Sequence, residues 1–150
     1  MAINKIDLKS HLEKAIPYSE GAKVLMAFLE KHKQKGKRKH YRPLGQNVAF
    51  DLGFYKAQLT KNTEWDKIVD YRVLDTSSVC VFMQDIGLLP TDIGNLGSLV
   101  AYFGVKQEEA HEAKADVTMT IGVYKKMKET FRKNSLSGGI SSDMLSVIEE

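Results

Sequence analysis

Two stretches of this 150-residue chain read as β-strand, and each is followed at once by a helical pattern. Residues 41–45, Tyr-Arg-Pro-Leu-Gly, are extended because Pro43 bars a helix, and the run stops at Gly45 and Gln46. Residues 68–74 are rich in branched and aromatic side chains and follow a polar loop at residues 61–66. The remaining regular segments are helical. Residues 8–15 form a short helix closed by Pro17, and Ser19 is placed to cap a second helix with Ala22, Leu25, Met26 and Leu29 on one stripe. Asn47 is placed to cap a third helix reaching about residue 60, with Val48, Leu52, Tyr55 and Leu59 on one side. After Asp75 and Thr76 comes a helix with Val79, Phe82, Met83 and Ile86, then a connection through Pro90. Asn95 caps the next helix, with Leu96, Leu99, Val100 and Phe103 as its stripe and Gly104 as its stop. The last helix opens near Glu109 and runs to about Phe131, with Val117, Ile121 and Tyr124 at helical spacing.

Strands alternating with helices predict an α/β layered domain with a parallel pair of strands. Sheets of this class usually carry about five or six strands. Two strands leave open edges and uncovered helix stripes, so the chain reads as part of a domain. The expected partner is a polypeptide supplying further strands, or a second copy of the chain. The domain is expected over residues 1–133. Ser and Gly dominate residues 134–142, so residues 134–150 read as a flexible tail in which Met144, Leu145, Val147 and Ile148 allow one short helix.

A content of 43% hydrophobic and 27% charged residues belongs to a soluble globular protein. No run approaches the roughly 20 apolar residues that span a bilayer. The single cysteine, Cys80, excludes an internal disulfide and the paired-cysteine zinc motifs. A cytoplasmic protein is expected. The net charge of +3 is unevenly spread, because Lys31, Lys33, Lys35, Lys37, Arg38 and Lys39 crowd together with His32 and His40. Such a run attracts phosphate backbones, or is simply a solvated loop.

The residues with chemistry to offer sit at helix starts. In Glu109-Ala110-His111-Glu112-Ala113-Lys114-Ala115-Asp116, a histidine precedes an aspartate by five residues. Asp116 is expected in an early turn on the buried side, and His111 just before it or at the helix start. A carboxylate on a rigid helix suits a metal ligand, and an imidazole on its hinge suits a mobile proton acceptor. The plain alternative is an ordinary helix N-terminus with an exposed histidine. Asp51 sits in the same kind of place, soon after the first strand. Ligands of parallel α/β sheets gather where strand ends meet helix starts, and Mg²⁺ takes one or two carboxylates there. Asp75 ends the second strand and is read as a helix cap. Trp65 is read as a packing anchor and Phe103 as core, whereas His11, His32 and His40 are read as surface residues.

Asn47-x-x-Phe50-Asp51, Leu74-Asp75-Thr76, Asn95-Leu96 through Phe103-Gly104-Val105, and His111-x-Ala113-x-x-Asp116 follow one another in a fixed order. That order resembles the DnaQ-like, DEDDh-type 3′–5′ exonucleases, which have an RNase H-like fold. The likeness covers about residues 6–128. It implies a metal-dependent nuclease, a hydrolase that cleaves phosphodiester bonds from the 3′ end of DNA or RNA, with two Mg²⁺ or Mn²⁺ ions per complete site. By the same resemblance Asp51 and Asp116 are metal ligands, and His111 is the base that deprotonates the attacking water. Asn47 and Phe50, with Lys37, Arg38 and Lys39 of the basic run, are implied nucleic-acid contacts. The family often has His where Gln46 stands. Its first motif, Asp-x-Glu on the first strand, occurs nowhere in these 150 residues. The first three strands of the RNase H-like domain are accordingly expected to be missing with it, and the chain alone to be inactive. The alternative is a catalytically incomplete nucleic-acid-binding or protein-interaction module.

Overall fold

The computed structural model describes residues 8–33, 40–56, 62–106 and 113–136. Its elements in order are α1 (Leu8–Lys14), α2 (Tyr18–Lys31), β1 (Leu44–Gly45), α3 (Val48–Phe54), α4 (Asn62–Trp65), β2 (Leu74–Asp75), α5 (Thr76–Asp85), α6 (Leu96–Phe103) and α7 (Ala113–Leu136). The chain is mixed α/β, mostly helical, with a two-stranded parallel sheet. It divides into two compact units, residues 1–75 and 76–150. Among the described residues no helix is long and apolar enough to cross a membrane.

The first unit is a β–α–β crossover with helices beside it. Leu44 pairs with Leu74 and Gly45 with Asp75, and a separate parallel bridge joins Tyr41 to Val69. Between the bridge and the ladder the first strand advances three residues while the second advances five. The second segment therefore carries two residues without partners, as in a β-bulge, and turns Tyr71 and Arg72 outward. The continuous strand expected over residues 68–74 is thus interrupted. Ile68 instead lies in a turn after α4, its N–H donating to the Trp65 carbonyl. The polar loop expected at residues 61–66 contains α4, a single helical turn.

Trp65, Ile68 and Val69 make the small core of this unit, and Leu25, Met26 and Leu29 of α2 pack on it together with Tyr41 and Leu52. This is the stripe that the spacing of α2 predicts, and Trp65 is the packing anchor. The Tyr41 hydroxyl donates to the Leu29 carbonyl at 2.9 Å. Ser19 does not cap α2. The helix already starts at Tyr18, and the carbonyl of Pro17 takes the first amides, those of Glu20 and Gly21. Leu59 lies outside the described residues.

The second unit is helical. Cys80, Met83, Leu89, Leu99, Val100, Ala115, Met119, Val123 and Met127 form its core. α6 matches its sequence signals closely. The Asn95 side chain accepts from the Ser98 N–H at 2.9 Å, and Gly104 ends the helix at φ 59°, in the left-handed region that glycine adopts freely. The inward face of α5 is Thr76, Cys80 and Met83, and Phe82, expected inside, is exposed. The Gln84 amide donates to the carbonyls of Pro90 and Ile93 at 2.7 and 2.6 Å and so pins the connection between α5 and α6.

α7 buries Ala115, Met119, Val123 and Met127, each four residues apart. The stripe expected there lies elsewhere on the helix: Val117 is 60% and Ile121 40% exposed. Residues 134–136, placed by sequence in the flexible tail, continue α7, and Asn134 and Ser135 donate side-chain hydrogen bonds to the carbonyls of Thr130 and Phe131. Residues 137–150 lie outside the described residues.

A Cβ added at Gly122 would meet Val105 Cγ1 at 2.7 Å. Alanine is worth about 1 kcal/mol more than glycine inside a helix, but overpacking a formed core costs about 1–3 kcal/mol. Gly122→Ala is therefore expected to lower stability in urea unfolding. Adding Val105→Ala should then cost less than it does in the wild type, with a coupling of at least about 0.5 kcal/mol. Simple gain of stability from Gly122→Ala would show that Val105 gives way freely.

Candidate functional site

The residues singled out by the sequence fall in both units, Asp51 in the first and Asp116 in the second. In the first unit the chain leaves β1, passes Gln46, and enters α3 through Asn47, which holds φ 57° and ψ 47°. Asparagine tolerates this left-handed conformation better than most residues. In it, the Asn47 side chain makes no cap hydrogen bond. The cap comes from 28 residues further on. Asp75, at the end of β2, accepts the Asn47 N–H on Oδ1 at 2.9 Å and the Val48 N–H on Oδ2 at 3.1 Å. Asp75 is thus a cap, as its position suggests, and through these two bonds it caps α3.

Asp51 stands in the first turn of α3, exposed, where a carboxylate also complements the partial positive charge of the helix start. Phe50 beside it is 64% exposed and meets Phe54 edge-on at 5.1 Å between centroids. α3 therefore carries an exposed carboxylate next to two exposed rings. Lys37, Arg38 and Lys39 lie outside the described residues.

In the second unit Asp116 occupies the first turn of α7 and is half-buried, flanking the inward row of Ala115 and Met119. Its backbone carbonyl accepts from Thr120 Oγ1 at 2.7 Å. His111, with Glu108, Glu109 and Glu112, lies outside the described residues, and α7 is described from Ala113 onward. Among the described residues no three His, Cys, Asp or Glu side chains come together as a metal-holding group.

One polar cluster was not singled out by the sequence. Asp70 Oδ1 accepts from the backbone N–H and from Nε of Arg72, at 3.0 and 3.1 Å, and Oδ2 accepts from Arg72 Nη2 at 3.0 Å. Arg42 approaches Oδ2 at 3.7 Å. The Arg72 hydrogen bonds, side chain first and backbone second, pull the Asp70 carboxyl down to about 2, and the Arg72 guanidinium is pushed up by the same partner. The legible signal was an Asp and an Arg two residues apart, which share a face of any extended segment.

Comparison with protein-family models, with curated proteins and with solved structures finds no match for this chain.

Two outcomes follow from this geometry. Asp75→Ala frees both leading amides of α3 and should cost about 0.5–2 kcal/mol, the usual range for a lost cap. Faster hydrogen exchange at Asn47 and Val48 is the local readout, and unchanged exchange there would mean that another group takes over. For Asp70 the folded value lies below the ordinary one of 3.8, so its pairing stabilises the fold above that value and is lost as pH falls toward about 2. The stability margin of the wild type over Asp70→Asn should be flat above about pH 5 and shrink below about pH 4. A margin that grows on acidification would reverse the assignment.

Proposed function

We propose that this chain carries part of a metal-dependent 3′–5′ exonuclease of the DnaQ-like type, acting on nucleic-acid phosphodiester bonds. The reading rests on the ordered motifs from Asn47 to Asp116. The observation that supports it most directly is Asp51, an exposed carboxylate in the first turn of the helix that follows the first strand of a parallel β–α–β crossover. Carboxylate oxygens at such positions are the donors that Mg²⁺ and Mn²⁺ prefer. Asp51 and Asp116 are assigned as ligands, and His111 as the group that accepts the proton of the attacking water. Bound divalent ions supply charge stabilisation for the attacking and leaving oxygens. Asn47 and Phe50 would contact the nucleic acid beside Asp51, with Lys37, Arg38 and Lys39 on its phosphates. An RNase H-like fold would gather these residues around more strands than the two that pair here.

Two carboxylates are few for two metals, and the chain contains no Asp-x-Glu. The purified chain with Mg²⁺ or Mn²⁺ and a 3′-labelled oligonucleotide is therefore expected to release no appreciable mononucleotide. In a complex where a second polypeptide supplies that motif, His111→Ala should lower turnover by roughly 10²–10⁴-fold with little change in Mn²⁺ affinity. Asp116→Asn should weaken both. Stepwise release by the chain alone, abolished by Asp116→Ala, would show that no further motif is required. Equal loss of Mn²⁺ affinity in the two variants would make His111 a ligand instead of a base.

A further inference from the structure

The bulge at residues 70–73 presents a surface that the carboxylates of α3 and α7 do not use. Tyr71 is 82% exposed. Single exposed aromatics are common and need no explanation by themselves. Here the neighbour is held in place. The Arg72 guanidinium lies 5.4 Å from the centre of the Tyr71 ring and is fixed by both oxygens of Asp70. The ring and cation thus present an ordered pair, with most of the ring left to solvent.

The same segment borders a concavity of about 480 Å³ that is also lined by His40, Lys56 and Asp66. Its edge is set by backbone pairing: the Tyr41 N–H donates to the Ile68 carbonyl, and the Asp70 N–H to the Tyr41 carbonyl. His40, the last residue of the basic run in sequence, is thereby brought beside Tyr71. Charge points the same way. Residues 1–75 hold 15 Lys and Arg against 9 Asp and Glu, a net of +6, whereas residues 76–150 hold 7 against 10, a net of −3. The unit that carries the exposed ring is the one that attracts a polyanion.

We infer that the Asp70-Tyr71-Arg72 bulge is a stacking platform for an unpaired base of single-stranded nucleic acid, with Lys56 and His40 beside the flanking phosphates. Aromatic rings take the face of any base, arginine adds a cation–π contribution, and basic residues follow the backbone. Duplexes are poorer ligands, because their bases are held in pairs and all but the outer faces of the terminal pairs are already stacked. Asp66, which lines the same concavity, opposes a phosphate beside its own carboxylate. The inference shares only the nucleic-acid part of the proposed function and needs no metal.

Fluorescence anisotropy in EDTA and low salt tests it, using labelled oligo-dT of about twelve nucleotides, within the span of single-strand sites, and an abasic phosphodiester of equal length. The wild type should bind oligo-dT more tightly. Tyr71→Ala should lose roughly 5- to 150-fold for oligo-dT, the worth of one stacked base, with little change for the abasic strand, and Tyr71→Phe should retain most of the affinity. Circular dichroism checks that the variants keep their fold. Equal affinity of the wild type for both strands, no binding of either, or an unchanged Tyr71→Ala would overturn the platform. Tyr102→Ala, at an exposed ring in the other unit, should bind as the wild type does. A loss there equal to that of Tyr71→Ala would refute the bulge as the site, whereas an inactive nuclease assay would leave this result untouched.

Discussion

The carboxylate of Asp75 closes the first unit. A two-residue parallel pair supplies few ladder hydrogen bonds, and the crossover that joins its strands has to be held at its other end as well. Asp75 does this by accepting both leading amides of α3 from the end of β2. One side chain therefore caps a helix, fixes the left-handed turn at Asn47, and secures the register Gly45 to Asp75. Charge-assisted bonds to backbone N–H are among the stronger ones available to a protein. The position of Asp51, one turn further along, follows from that clamp.

What the sequence made legible was mostly local. Asn95, Leu99, Val100 and Gly104 announce α6 completely, because a cap, a stripe and a left-handed stop all lie within ten residues. The parallel arrangement of the two strands was likewise readable from their alternation with helices. α7 was harder. It offers two rows at helical spacing, and the larger side chains of Val117 and Ile121 suggested the wrong one. The buried row begins with the small Ala115, and Gly122 admits Val105 close to the helix. Which row faces inward is decided by the neighbour, and no period within α7 encodes it.

The second strand shows the same limit in another form. Residues 68–74 have strand composition, yet the bridge at Val69 and the ladder at Leu74 accommodate unequal lengths of chain. Register is a property of two segments together. The outward turn of Tyr71 was accordingly invisible, although Asp70 and Arg72 stood two residues apart in plain view. For the candidate site, the sequence placed Asp51 and Asp116 correctly in first helical turns. It missed Asp75 as the partner of α3, because that contact spans 28 residues.

Cys80 offers a use that has nothing to do with catalysis. It is the only thiol in the chain, it is 1% exposed, and burial pushes its ionisation up. The reactive thiolate is thus suppressed twice, by lack of access and by lack of charge. Its weak hydrogen bond to the Ile93 carbonyl also ties it to the connection that Gln84 holds. Alkylation at this position can proceed only through opening of the helical unit. The rate of labelling is therefore a built-in clock for that opening, and the first unit, which has no cysteine, stays silent in the same experiment.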